Sequence, residues 1–449
     1  MELRLSDYGV KQDIVQTREI QAVIDEAEAK GGLTVVIPRG TYITGTLCLG
    51  NVSLYLEKGA VLKGSDRWED YRANGFRHNE MHECISLLYS LESSDISITG
   101  EGTIDMNAEA FYDMESPDVP DDGNVYSDEQ KAQCTRKYRH RPSQPIFFYH
   151  CRHIRIEGIV LRNAPCWTMS FNSSEDIRVT GVTIENDMTI PNNDGMHFCS
   201  CRNVMISGCN ITAGDDCIAL SGITAWDRPC ENVTISDCVL TSASKAISIG
   251  YMHSIVRNVT VTNCVIYGSQ RGIAIMSSKG TGLVAHVLFQ NIRIETRVHA
   301  GNWWGNGEPI CLMGTYHHYD GYLDPAPERD WDINIRDIRF CNISCTGENI
   351  IGVIGSGNNI DHIIFRDIAF EKKNSANRYL KGDRCIDVSP SAEVITVPED
   401  FSDFIYVRES RNVIIDGAYA MPAPGEESFL PPFARQSGKT VGRRCPGVL

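Results

Sequence analysis

The chain has 449 residues, 42% hydrophobic and 22% charged, which is enough to bury a large core and too ordinary a charge fraction for a disordered polymer. A net charge of −16 repels nucleic acids and draws nothing toward an anionic membrane surface, so neither is an expected partner. No apolar run reaches the ~18 residues of a membrane span, and Met1-Glu2-Leu3-Arg4 opens without a charged-then-apolar leader, so a cytoplasmic protein is expected.

The first element is a helix. Thr17 to Lys30 places Ile20, Val23, Ile24 and Ala27 on one face and stops at Gly31-Gly32. Strands then begin at Leu33-Thr-Val-Val-Ile-Pro38 and continue through Val52-Ser-Leu-Tyr-Leu56. Residues 105–145 break that rhythm, being polar and mixed in charge, and read as one long loop.

From there the chain repeats itself. His153-Ile-Arg-Ile, Asp176-Ile-Arg-Val, Asn203-Val-Met-Ile, Asn232-Val-Thr-Ile, Asn258-Val-Thr-Val and His286-Val-Leu-Phe follow one another at intervals of 23, 27, 29, 26 and 28 residues. Fainter copies lie at Ile333, His362 and Asn412. Apolar and polar residues alternate within each unit, and a second short strand follows after a Gly, Asp or Asn corner. A leucine-rich repeat has a similar period but needs a Leu-x-x-Leu-x-Leu pattern, which is absent; propeller blades need longer units. The period calls for an all-β fold, a right-handed parallel β-helix in a single domain of residues 1–449. Residues 1–32 would cap its open hydrophobic end, and about 420–449, rich in Pro and Gly, would form a tail. Several of the 17 cysteines (Cys201, Cys209, Cys217, Cys230, Cys238, Cys264) fall inside these units, where a small apolar side chain stacks well. Free buried thiols are expected rather than a disulfide framework, and no paired Cys-x-x-Cys points to a metal.

Two acidic motifs stand one coil apart: Pro191-Asn192-Asn193-Asp194-Gly195 and Gly214-Asp215-Asp216-Cys217. Asp194 and Asp215 are separated by 21 residues, and adjacent parallel strands lie ~4.8 Å apart, so three carboxylates should converge. Glycoside hydrolysis needs such a set, one acid to protonate the leaving oxygen and one carboxylate to activate water or attack carbon. Crowding also raises one pKa and keeps the acid protonated. Turn-forming Asp and Asn are the plainer explanation for a lone acid, less so for two Gly-flanked clusters. Calcium would suit clustered Asp oxygens, but the ligand spacing is irregular, and no metal or cofactor is expected.

Further along, Gly301-Asn-Trp303-Trp304-Gly-Asn-Gly-Glu308-Pro309 offers aromatic platforms for sugar C–H faces, with Trp303 or Trp304 as the expected contact and Glu308 as a weaker candidate for a sugar hydroxyl. Loop packing is the alternative use of the Trp pair. The next motif, Tyr316-His317-His318-Tyr319, holds two adjacent histidines that would face opposite sides of a strand, so no metal is assigned to them.

From about Leu5 to at least Phe289 the sequence resembles the polygalacturonase family, glycoside hydrolase family 28. The resemblance is carried by Gly32-Leu-Thr-Val-Val-Ile-Pro-Arg-Gly-Thr-Tyr42, Leu56-Glu-Lys-Gly-Ala60, Arg162-Asn-Ala-Pro-Cys-Trp167 and Ile247-Ser-Ile-Gly250. The family's Asn-Thr-Asp-Gly motif matches Asn192 to Gly195 with Asn for Thr, and its Gly-Asp-Asp motif matches Gly214 to Asp216 unchanged. The resemblance implies Asp215 as general acid, Asp194 with Asp216 activating water, inversion at the anomeric carbon, and no cofactor. Two family features are missing. The active-site His is replaced by Lys245, and the Arg-Ile-Lys clamp for a substrate carboxylate is Ala274-Ile275-Met276. Arg271, three residues earlier, is a partial substitute at best, and Asn192, Lys245 and Arg271 join the substrate-binding candidates. The expected function is an inverting glycosidase, exo-acting on pectin-derived or related oligosaccharides, with altered specificity on the leaving side. The alternatives are a β-helix polysaccharide lyase and a catalytically inactive carbohydrate-binding solenoid.

Overall fold

Each coil begins with a corner that the sequence repeat marks directly. His153, Asp176, Asn203, Asn232, Asn258 and His286 all have φ between 52° and 58°, the left-handed region that short polar side chains tolerate best. Their side chains climb from coil to coil: Asn203 Nδ2 donates to Asp176 Oδ1 (3.0 Å), Asn232 Nδ2 to Asn203 Oδ1 (3.1 Å), and Asn258 Nδ2 to Asn232 Oδ1 (3.2 Å). The computed structural model describes residues 2–78, 82–222, 228–251, 254–276, 282–316, 331–377, 385–386, 395–396 and 403–421. The expected histidine pair at 317–318 and the tail beyond 421 lie outside them.

The coils stack into a right-handed parallel β-helix with a 23-stranded and an 11-stranded sheet. Seven strands of the smaller sheet carry the site: β1 (Ile146–Tyr149), β2 (Met169–Asn172), β3 (Met196–Cys199), β4 (Ile218–Ser221), β5 (Lys245–Gly250), β6 (Arg271–Met276) and β7 (Ile310–Met313). All pair in parallel and in register, so alternate residues form straight rows. The inward rows build the core. Phe148, Phe171 and Phe198 stack within it at 5.2 and 4.8 Å with nearly parallel rings. The outward row reads Phe147, Ser170, His197, Ala219, Ser248, Ala274 and Cys311.

At the N-terminal end, helix α1 (Thr17–Ala29) buries Ile20, Val23, Ile24 and Ala27, the face expected to close the solenoid. Fifteen cysteines in the described residues are free thiols, and all but Cys48 and Cys341 are buried. Residues 105–145 are more structured than a plain loop. They hold an antiparallel pair, Tyr112–Pro117 with Arg136–Tyr138, and a helical turn Asp128–Lys131 capped reciprocally by Ser127 and Gln130. Among the described residues no helix is long and apolar enough to cross a membrane.

Candidate active site

The two acidic motifs occupy the corners that lead into β3 and β4. Coil must lie close on coil there, and glycine permits it. A Cβ on Gly195 would sit 2.4 Å from Cys217 O, and one on Gly214 would sit 2.3 Å from Ile190 O. Asn193, wholly buried, then pins the corners together. Its Oδ1 accepts from Gly214 N (2.5 Å), and its Nδ2 donates to Asp187 O (2.8 Å). Below, Gly195 N donates to Asp216 O (2.8 Å) and Ser242 Oγ to Asp215 O (2.6 Å).

These constraints bring oxygen atoms of Asp194, Asp215 and Asp216 within 4.8 Å of one another. All three side chains are buried. Lys245, at the start of β5, stands among them, with Nζ 2.8 Å from Asp216 Oδ1 and 3.7 Å from Asp215 Oδ1. Burial alone would lower the lysine pKa, but Asp216 and Asp215 more than reverse this and hold it above its ordinary value. By geometry the three carboxylates could surround a cation. The ammonium already supplies positive charge at that point, so the donor set favours a lysine-neutralised cluster over a metal site.

Asp194 is held differently. His197 Nε2 lies 2.5 Å from Asp194 Oδ2, and the imidazole stacks on Trp167 with ring centres 3.7 Å apart. Burial pushes the Asp194 carboxyl up while His197 draws it down, and the net direction is upward. Asp215 is pushed well above the carboxylate range, first by burial and then by Asp194, with Lys245 opposing. A carboxyl that keeps its proton suits a general acid.

Among the other expected residues, Asn192 reaches the cluster. Its Nδ2 is 3.4 Å from Asp215 Oδ2, and its Oδ1 accepts from Arg141 Nη2 at 3.0 Å. Arg141 comes from the 105–145 segment and also bonds Tyr112 Oη, Pro165 O and Pro191 O, so that segment forms a wall beside the acids. Trp304 is half-buried, with Lys245 Nζ 5.9 Å from its ring centre.

Three expectations need correction. Trp303 has 0% exposure and donates Nε1–H to Gln133 O (2.8 Å), so it fastens the long segment and offers no ring face to a sugar. Glu308 is equally buried, and its Oε2 accepts from Arg271 Nε (3.1 Å) and Asn306 N (2.8 Å), which leaves no access for a sugar hydroxyl. Arg271, 1% exposed, spends its charge on Glu308 and does not replace the missing clamp. The three acids converge as their one-coil spacing requires, and inversion is what the family resemblance implies.

Sequence reasoning missed His197, Asn193 and Arg141. The Asp194-x-x-His197 spacing was the available signal for the first: it carries the histidine to the outward row of β3, one corner from the acid.

The sequence model of Glycosyl hydrolases family 28 matches residues 88–377. A probable polygalacturonase of Vitis vinifera is 26% identical over 366 residues, covering 76% of this chain and 69% of that protein. A probable exopolygalacturonase B of Aspergillus terreus is 24% identical over 324 residues, covering 68% of this chain and 66% of that protein. Among solved structures, an exopolygalacturonase from Thermotoga maritima superposes with a TM-score of 0.66 at 21% identity, covering 83% of this chain and 87% of that one. A family 28 exopolygalacturonase from Yersinia enterocolitica gives 0.62 at 17% identity, with 94% and 77% covered. Both share the β-helix fold.

Proposed function

The chain belongs to glycosyl hydrolase family 28 and is a glycoside hydrolase, and from that premise we propose that it is exo-acting, removing single residues from one end of pectin-derived or related oligosaccharides. Asp215 protonates the leaving oxygen, and Asp194 with Asp216 takes the proton from the attacking water. Lys245 keeps Asp216 turned into the cluster, and Trp304 offers the ring against which a sugar stacks. The reaction inverts the anomeric centre.

The observation that carries exo-action is how the outward row ends on its N-terminal side. Two strands before His197 the row reaches Phe147, which is wholly buried. Phe76, on a hairpin formed by Ala73–His78 and His82–Ile85, packs on it at 5.2 Å and on Tyr149 at 4.7 Å. Two strand steps of ~4.8 Å put this aromatic stop about 10 Å along the sheet from His197, so the row closes a short way beyond the acids. On the other side, where the family clamp would hold a uronate, Ala274, Met276, Cys311 and Met313 join an apolar cluster. A galacturonate carboxylate there would lose its charge-assisted partners, so the leaving side suits a neutral residue.

Reducing-end-labelled pectic oligosaccharides test this reading. The expected first product is a free monosaccharide beside a chain shortened by one. A ladder of mid-length fragments at early times would overturn exo-action. An ultraviolet-absorbing unsaturated product would overturn hydrolysis in favour of elimination.

A further inference from the structure

His197 occupies a position in the outward row where its neighbours in register, Ser170 and Ala219, are small. Packing therefore does not demand a large ring at that step. The ring is nevertheless 3% exposed, clamped on one face by Trp167, and aimed with Nε2 at Asp194 Oδ2. Asp194 then has one oxygen engaged, while its Oδ1 is buried without a hydrogen-bond partner in the structure. Asp216 has its Oδ1 2.8 Å from the Lys245 ammonium, an ion pair in place of a hydrogen bond. Two carboxylates that must share a water are thus each anchored at one oxygen by a cationic side chain.

We propose that His197 is a positioning residue for the hydrolytic reaction, holding the Asp194 carboxylate by Oδ2 in its place among the acids; the proposal rests on the glycosidase reading of this site. The groups around the pair are few. Asp216 pushes the Asp194 carboxyl up and Lys245 draws it down, each less than His197 does, and the Asp215 carboxyl also stands within 4.8 Å. The imidazole itself faces Asp194 and, two residues along the same side of β3, Cys199. Burial works against its charge, and Asp194 more than reverses that, so the ring stays protonated above the ordinary histidine range. A bare Asp194, lacking this partner, would rise further and be protonated over more of the working pH range.

The test uses His197→Phe, which keeps the stack on Trp167 and removes the N–H, beside His197→Gln, which restores a neutral donor. With a carboxylate turned away from its water, kcat should fall by about 10²-fold in the Phe variant. The acidic limb of kcat/KM should move up by ~1 pH unit or more, since an opposite charge this close lowers a carboxyl by ~1–3 units. KM should change little, and the Gln variant should recover part of the rate. An activity loss equal at every pH, with the limb unmoved, would mark a merely structural role and overturn the proposal. A second readout needs no turnover. By ¹⁵N-histidine NMR of the wild-type protein, His197 should titrate above the ordinary histidine range, and Asp194→Asn should bring its titration down. Titration at the same pH in both proteins would equally overturn the pairing. A protein that shows this coupling yet hydrolyses no glycoside would overturn the glycosidase reading and the catalytic role of His197 with it, while leaving the pair itself intact.

Discussion

Replacing Lys245 with Met removes the positive charge from the acid cluster while keeping the volume of the side chain. The structure sets the size of the effect. Two unit charges 4.8 Å apart repel by about 3.5 kcal/mol at an effective dielectric of ~20. The ammonium at 2.8 Å from Asp216 opposes this with an attraction of about 6 kcal/mol on the same scale, before desolvation is charged against it. Removing one partner of so buried a group typically costs ~3–5 kcal/mol, and that is the expected loss of unfolding free energy near pH 8. The loss should shrink on acidification. Asp215 already has a raised pKa, and without Lys245 it rises further. A folded state that binds a proton more readily than the unfolded chain is most stable at low pH and loses that advantage as pH rises from ~4 toward the folded pKa. The wild-type-to-variant difference should therefore grow from pH 5 to pH 8. Urea unfolding at both pH values measures it, alongside kcat, which should fall with Asp216 released. An equal deficit at both pH values, or none, would refute the idea that Lys245 neutralises the acids.

Asp215→Asn should keep the fold, because the change preserves volume, and should lower kcat by ~10²–10⁴-fold or more, as loss of a general acid requires; initial rates on an oligosaccharide decide it. Ala274→Arg with Met276→Lys should destabilise the fold by ~3–5 kcal/mol, because both positions lie in a buried apolar cluster that offers a charge no partner; urea unfolding reads the loss. Trp303→Ala should destabilise by ~3–5 kcal/mol, as removal of a fully buried Trp does. Trp304→Ala should leave unfolding almost unchanged and raise KM by about 2- to 10-fold, the loss of one stacking contact.

The architecture was legible because the repeat has a local cause. His153, Asp176, Asn203 and their successors mark corners with positive φ, and a corner of that kind selects Asn, Asp or His in the sequence itself. The acids were legible for a related reason. Gly195 and Gly214 are demanded by backbone contact within 2.5 Å of any added Cβ, so the glycine flanks and the one-coil spacing both survive in the sequence. Trp303, Glu308 and Arg271 were not, because their partners lie elsewhere in the chain: Arg271 and Glu308 pair with each other across 37 residues, and Trp303 meets the 105–145 segment. Gln133 O takes the Trp303 N–H across 170 residues, and no local pattern announces that meeting. His197 escaped notice because β3, Met196-His-Phe-Cys199, is buried on both faces. Polar–apolar alternation then no longer tells the outward side from the core.

Direct displacement by water at the Asp194, Asp215 and Asp216 cluster leaves no covalent sugar intermediate. Proton NMR of the first product, recorded before mutarotation, distinguishes it from a double displacement. The expected product is the anomer opposite to that of the cleaved linkage. A product that first appears with the original configuration would contradict it, and would mean that one of three carboxylates lying within 4.8 Å attacks the sugar carbon itself.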